Sequence, residues 1–262
     1  MSDLTDTRVF VESTQTSDGA AAVPPGAKPG HTKLYPGPGF RMRRNHHRPP
    51  REVVAGLGAF ETPEVSDLLN RLYTMNSAIR PVTAPELRIS GPACTVKVFP
   101  GDNLMVHKAL DIAQPGDVIV VDASSSNMTA VLGDTICMKA RHRGIAGFVV
   151  DGLVRDVAAI QRLGDFPVFA RGVTPIGPLQ RGPGEINYPV SVGGIVVTAG
   201  DLVVADLSGV VVVPADVAPD LLARLVERAP AETAYLADVA GGRFSNDWVD
   251  KVLAEAGADI VW

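Results

Sequence analysis

Arg155 and Asp156 are adjacent, and Asp134 precedes Arg155 with twenty residues between them. A guanidinium grips planar anions through two parallel hydrogen bonds. A single carboxylate completed by water is enough protein for a cation such as Mg2+, which keeps much of its hydration shell. These residue types point to a planar anionic ligand held beside a hard divalent cation. A plainer reading stands next to it. An Arg-Asp dipeptide at a helix start is often an N-terminal charge in a surface ion pair.

The segment leading to the pair gives it a setting. Pro115-Gly116 turns the chain into an apolar strand, Asp117–Val121, followed by the small polar stretch Asp122-Ala123-Ser124-Ser125-Ser126-Asn127. The pattern then predicts a helix from about Gly133 to Arg143, stopped at Gly144. At such a start the amides of Asp134, Thr135 and Ile136 have no intrahelical acceptor, and with the helix dipole they favour a carboxylate or phosphate. A second apolar strand, Ile145–Val150, runs into Asp151-Gly152-Leu153-Val154-Arg155-Asp156. Both strands therefore deliver their polar residues to one crevice at their carboxyl ends, where open α/β folds bind ligands.

Other elements must hold this crevice in place. Thr62-Pro63-Glu64 predicts an N-cap with proline at the first helical position, and Val65, Leu68, Leu69 and Leu72 predict its apolar stripe. Alternating Cys94, Val96 and Val98 predict a strand, and Gly101-Asp102-Asn103 the start of a helix to about Ile112. Beyond the pair, Val157–Leu163 reads as a helix and Val168–Ala170 as a short strand. Ile195–Val197, Leu202–Ala205 and Val210–Val213 form a hairpin-like run. Two closing helices are expected, Asp220–Tyr235, broken or kinked at Pro230, and Asp247–Ala256. An α/β part followed by hairpin strands fits a mixed α/β sandwich, neither a doubly wound sheet nor a barrel. No GxGxxG or GxxxxGK[ST] phosphate loop occurs.

Composition excludes several classes. The chain of 262 residues is 46% hydrophobic and 20% charged, as an ordinary globular domain is. Its net charge of −5 argues against a basic nucleic-acid surface. No apolar run is long enough to span a bilayer, Met1–Gly30 has no signal-peptide core, and two cysteines make no disulfide framework. A cytoplasmic protein that binds neither membrane nor nucleic acid is expected. Residues 1–60 read as a partly irregular N-terminal arm, rich in Pro and Gly, and 61–262 as one folded domain. The arm holds a basic run from Arg41 to Arg48, whose neighbours His46 and His47 point to different faces and make poor metal ligands. His107 and His142 fall on expected helix surfaces, Cys137 reads as packing, and Tyr73, Arg80 and Tyr188 are candidates to line the crevice.

The spacing of Asp134 and Arg155-Asp156 resembles the signature of the RraA-like family, the class II pyruvate aldolases related to the regulator of ribonuclease activity A. Gln114–Asp122, Arg143–Gly147, Asp151–Asp156, Val192–Val197 and Gly200–Val210 are similar to family stretches, in order, from about Glu64 to Ala256. The resemblance implies a swivelling β/β/α-type sandwich assembled as a homotrimer or hexamer with sites between subunits. It implies Mg2+ or Mn2+ at Asp156. Arg155 would bind the pyruvoyl part of a small 2-oxo acid, and the turn at Gly133, through the amides of Thr135 and Ile136, its carboxylate. Asp134 would lie beside the cation. An acidic residue from a neighbouring subunit's C-terminal helix is also implied; Glu232 matches best, with Glu227 the competitor.

The chemistry so implied is aldol cleavage or decarboxylation through a pyruvate enolate, of the 4-hydroxy-4-methyl-2-oxoglutarate aldolase or oxaloacetate decarboxylase kind. No lysine lies in the signature, which disfavours a Schiff base. Two other readings stay open: a lyase or hydratase acting on another polyfunctional acid, and a non-catalytic trimeric binding protein such as a ribonuclease regulator. The long N-terminal arm and the extension Phe244–Trp262 are unlike the short regulators.

Overall fold

A computed structural model describes residues 39–258; the rest of the expected N-terminal arm, and the last four residues, lie outside the described range. The chain forms β1 (Phe40–Met42), α1 (Arg51–Gly58), α2 (Thr62–Leu68), β2 (Arg80–Pro81) and β3 (Ile89–Val98). Then come α3 (Leu104–Ala109), β4 (Val118–Asp122), β5 (Ala130–Leu132), α4 (Asp134–His142), β6 (Gly147–Val154), α5 (Val157–Gln161) and β7 (Val168–Val173). The remainder is β8 (Gly184–Ile186), β9 (Val190–Val192), β10 (Ile195–Val197), β11 (Leu202–Asp206), β12 (Gly209–Val213), α6 (Ala218–Ala240) and α7 (Asp247–Glu255).

Strand β3 ties the layers together because it serves two sets of neighbours. Its first half, Ile89–Pro92, pairs antiparallel with β11, and its second half, Ala93–Lys97, pairs parallel with β4. Parallel pairing continues from β4 to β6 and from β6 to β7, so four strands point their carboxyl ends the same way. Close approach at the changeover requires a residue without a side chain. A Cβ on Gly91 would stand 2.2 Å from the Gly116 carbonyl oxygen.

Period-two alternation then sorts side chains to two faces. Cys94, Val96, Val121 and Phe148 face α3, α4 and α5 and pack on Val106, Cys137 and Ile160. Val118, Val120, Val149 and Phe169 face the other way, onto Val192, Val197, Val203 and Val212 of the β9–β12 layer. That layer is apolar on its far side too, where Val204 and Val211 meet Leu57 of α1, Val65 of α2, and Leu221 and Leu225 of α6. The expected mixed β/β/α sandwich is present, with an added outer layer of helices.

Several elements differ from the sequence reading. The ordered body begins before Glu61: β1 pairs with β8, and α1 buries Val53 and Leu57 within the stretch read as an arm. Glu61, not Thr62, caps α2 through a reciprocal box with Glu64. The Thr62 amide and hydroxyl instead bond the buried Asp206 carboxylate, at 2.8 and 2.6 Å. That helix stops at Leu68 because Asn70 and Arg71 turn left-handed (φ 54° and 63°), which leaves Leu72 69% exposed. α3 and α5 are shorter than expected, whereas α6 continues through Pro230. Most consequential is β6, which starts at Gly147 and runs on through Asp151 to Val154.

Candidate active site

Strand β6 accommodates Asp151 because both oxygens of its buried carboxylate accept hydrogen bonds. Oδ1 accepts from the Ser125 hydroxyl at 2.8 Å and from the Arg171 guanidinium, and Oδ2 accepts from the Gly193 amide at 2.6 Å. Burial pushes this carboxyl upward in pKa, but the bonds from Arg171, Gly193 and Ser125 outweigh it and hold it below the ordinary value. Asp151 thus fastens the loop after β4, strand β7 and the β9–β10 turn at one point. Beside it, Asp122 at the end of β4 meets Lys97 Nζ at 3.3 Å and the Ser124 amide at 2.8 Å. The sequence reading missed this row of anchors; the signal was polar residues ending otherwise apolar strands.

With β6 extended, Arg155 emerges directly at its end, and its amide donates to the Leu132 carbonyl of β5 at 3.0 Å. Two glycines bracket the Arg155 side chain. A Cβ on Gly133 would stand 3.1 Å from Arg155 Cγ, and one on Gly177, in the loop after β7, would stand 2.5 Å from Nη1. Asp156 then adopts a left-handed conformation (φ 57°, ψ 31°) as the N-cap of α5. Such a conformation costs a non-glycine residue about 1 kcal/mol or more, and strained residues of this kind cluster at functional sites. It turns the carboxylate back across Gly133, with Oδ2 3.2 Å from Arg155 Nε. Both side chains remain 43% exposed, and an exposed pair adds little stability. Stability alone does not account for the arrangement.

Gly133 is the extended N-cap of α4, whose first turn opens beside this pair. Asp134 Oδ1 accepts from the Thr135 amide at 2.6 Å and from its hydroxyl at 3.2 Å. Thr135's amide is therefore engaged by its neighbour, while the amides of Asp134 and Ile136 have no protein acceptor among the described residues. Gly133, Asp134, Thr135, Ile136, Arg155 and Asp156 come together as one constellation. Glu232 does not join them within the chain. It lies on α6, in the outer helical layer, paired with Arg228 Nε at 3.0 Å above a groove lined by Pro63, Glu64 and Asp67 of α2. Glu227 is exposed on the same helix.

The donor chemistry suits a hard cation that keeps water. No group of three His, Cys, Asp or Glu residues able to hold a metal occurs among the described residues. What the crevice offers is carboxylate oxygen: Asp156 Oδ1, without a protein donor among the described residues, and the Oδ2 of Asp134. Mg2+ and Mn2+ accept so sparse an oxygen set, whereas Zn2+ sites ordinarily recruit three or four N or S ligands.

The remaining candidates have structural roles. Burial pushes both the Cys94 and Cys137 thiols up to about 12, so neither is a nucleophile. Tyr188 is covered by the guanidinium groups of Arg41 and Arg43, 4.1 and 4.2 Å from its ring centre. Tyr73 packs against the outer helical core, and Arg80 bonds the Ser77 carbonyl. His107 is half-buried on α3 and His142 exposed on α4.

The chain is similar to several known proteins. The family model described as RraA-like, aldolase/RraA, matches residues 62–212. A Halalkalibacterium halodurans protein named "Putative 4-hydroxy-4-methyl-2-oxoglutarate aldolase" is 43% identical over 163 residues, covering 62% of this chain and 77% of that protein. An Arabidopsis thaliana protein bearing the same name, numbered 3, is 34% identical over 161 residues, 60% of this chain and 96% of that one. Among solved structures, Streptomyces coelicolor RraAS2, described as an unusual member of the RNase ES inhibitor RraA protein family, superposes with a TM-score of 0.67. It shares 31% identity over 73% of this chain and 98% of its own.

Proposed function

The chain belongs to the RraA-like family, and from that premise we propose that it is a cytoplasmic carbon–carbon lyase acting on a short 2-oxo acid. It cleaves an aldol such as 4-hydroxy-4-methyl-2-oxoglutarate or decarboxylates a 2-oxo diacid such as oxaloacetate, with Mg2+ or Mn2+ held at Asp156. The observation that carries this reading is the convergence of the Arg155 guanidinium and the Asp156 carboxylate over Gly133, beside the open first turn of α4.

The chain's own groups supply most of the steps. The Ile136 amide, at the positive end of α4, donates to the substrate carboxylate. Arg155 donates to the C2 ketone oxygen. As the C3–C4 bond breaks, its electron pair moves toward that oxygen, and the fixed guanidinium stabilises the enolate charge more than it stabilised the neutral ketone. Asp156 would hold a divalent cation, which would supply Lewis-acid polarisation of the bound 2-oxo acid. Aldol cleavage also requires the C4 hydroxyl to lose a proton. Asp134 Oδ2, left over after Oδ1 is engaged by Thr135, accepts it through a bound water, and C3 of the enolate takes a proton back by the same route to give pyruvate. Decarboxylation omits the loss of the hydroxyl proton, so the site supports it with fewer groups. Subunits associate as a homotrimer or a hexamer, and Glu232 completes the site from a neighbour.

Pyruvate release from a panel of 2-oxo acids, with Mg2+, Mn2+ or EDTA, tests the reading. Cation-dependent release from at least one panel member is expected. Silence from a folded, cation-loaded protein would transfer the assignment to another polyfunctional acid, or to a binding role like the ribonuclease inhibition in the Streptomyces protein's description.

A further inference from the structure

The segment that leads into α1 crosses the base of the sheet, at the end opposite the crevice. It starts as β1, in parallel register with β8, and the Arg43 amide extends the ladder to the Ile186 carbonyl at 3.1 Å. Further on, Arg48 forks onto Asp117, just before β4, at 2.8 and 2.7 Å. Asp117 is buried and also accepts from the Gln114 amide at 2.9 Å. Between these two fastenings the backbone passes tightly over the β10–β11 turn. A Cβ on Gly200 would stand 2.2 Å from the His47 carbonyl oxygen and 3.6 Å from His46 Cδ2.

His46 lies under this strap with its polar atoms unused. Both ring nitrogens are buried, and neither has a hydrogen-bond partner among the described residues. Buried polar atoms are nearly always paired, because an unpaired one loses its hydration without compensation. A neutral ring bears that loss, and a charged one would lose far more. The charged groups facing it are Arg48 and Asp117, with His47 beside it in the chain. Behind them the Cys94 thiol of β3 stays neutral. Asp117 is gripped by Arg48 through both oxygens. Asp201, next to Gly200, gives its oxygens to the Thr198 and Ala215 amides, at 2.8 and 3.1 Å. Both neighbouring carboxylates are therefore committed elsewhere. Burial, reinforced by Arg48, holds the His46 ring down at about 4, and the opposing pull of Asp117 does not offset them.

We propose that His46 is an acid-sensitive latch: its neutral ring keeps residues 43–50 seated on the base of the sheet, and its protonation releases them. Once released, the ring takes its proton at the ordinary value of 6.5. A base whose pKa is depressed in the seated form favours that form above the released value. The preference is lost as pH falls, so release grows about tenfold per unit from about 6.5 down to about 4. Release also frees β1 from the edge of β8.

Hydrogen exchange read by mass spectrometry on the full chain tests this, with each rate corrected for the intrinsic effect of pH. Between about pH 6.5 and pH 5, protection of peptides spanning 40–48 should fall at least about tenfold, while β4 keeps its protection. His46→Phe keeps a ring that cannot take a proton and should abolish the fall; His47→Gln should leave it in place. Titration of the His46 ring by NMR in the parent follows the latch without any substitution, and the ring should stay neutral for as long as the segment is protected. Protection that does not fall, an equal fall in β4, or a fall that persists in His46→Phe would each overturn the proposal. So would a His46 ring that protonates near its ordinary value while the segment stays protected.

Discussion

Gly133 approaches the Asp156 carboxylate so closely that a Cβ built on it would stand 2.5 Å from Oδ2. The backbone at Gly133 is extended, φ −147°, and open to any residue. What the position excludes is a methyl group between the start of α4 and the paired side chains.

Gly133→Ala is therefore expected to displace Asp156 and Arg155 while leaving the fold intact. Stability should change by less than about 1 kcal/mol, because the carboxylate end moves more easily than backbone. Pyruvate release should fall at least about tenfold in kcat/KM, equivalent to about 1.4 kcal/mol of transition-state stabilisation. Urea unfolding and steady-state kinetics on the same preparation check both halves.

Arg155→Lys keeps the charge and loses the two-pronged geometry. A loss of at least about tenfold in kcat/KM is expected, with unfolding unchanged. An effect under about twofold would make Arg155 a structural residue.

Asp151 is where stability and pH meet. Its folded carboxyl titrates below the ordinary value of 3.8, so its bonds to Arg171, Gly193 and Ser125 stabilise the fold above that value. This contribution disappears as pH falls through the lower folded value. Asp151→Asn should thus destabilise the protein at pH 7 by about 1–3 kcal/mol. The gap between parent and variant should narrow on acidification below about pH 4, as denaturant midpoints across that range would record.

Much of this site was legible because its parts are local. Arg155 and Asp156 are chain neighbours, and Gly133 and Gly144 mark the ends of α4, so pattern alone placed them at one crevice. What escaped depends on distant partners. Asp151 looked like a strand terminus, yet Gly193, 42 positions away, and Arg171 allow the strand to continue through it. Helix α1 offered only Val53 and Leu57 as buried positions among glycines, too few to set a period, and it forms against α6 and β3. Leu72 fitted the helical stripe, but left-handed turns at Asn70 and Arg71 remove it. The left-handed backbone of Asp156 has no sequence signal, since aspartate there is indistinguishable from an ordinary helix cap.

Glu232 is expected to act across a subunit boundary, because in its own chain it lies in the outer helical layer beside α2. Inactive Asp156→Asn and Glu232→Gln chains, refolded together, should regain activity through sites that combine intact residues from two subunits. Hetero-assembly without recovery would refute the shared site, and full activity of Glu232→Gln alone would pass the role to Glu227.

The central claim is that Asp156 holds the divalent cation on which turnover depends. Its most direct test is pyruvate release titrated with Mn2+ in the parent and in Asp156→Asn, each after treatment with EDTA. The parent is expected to regain activity as Mn2+ is added. The variant, equally stable to urea, should stay at least about a hundredfold slower at saturating cation. Undiminished turnover in Asp156→Asn, or full parental activity in EDTA, would contradict it.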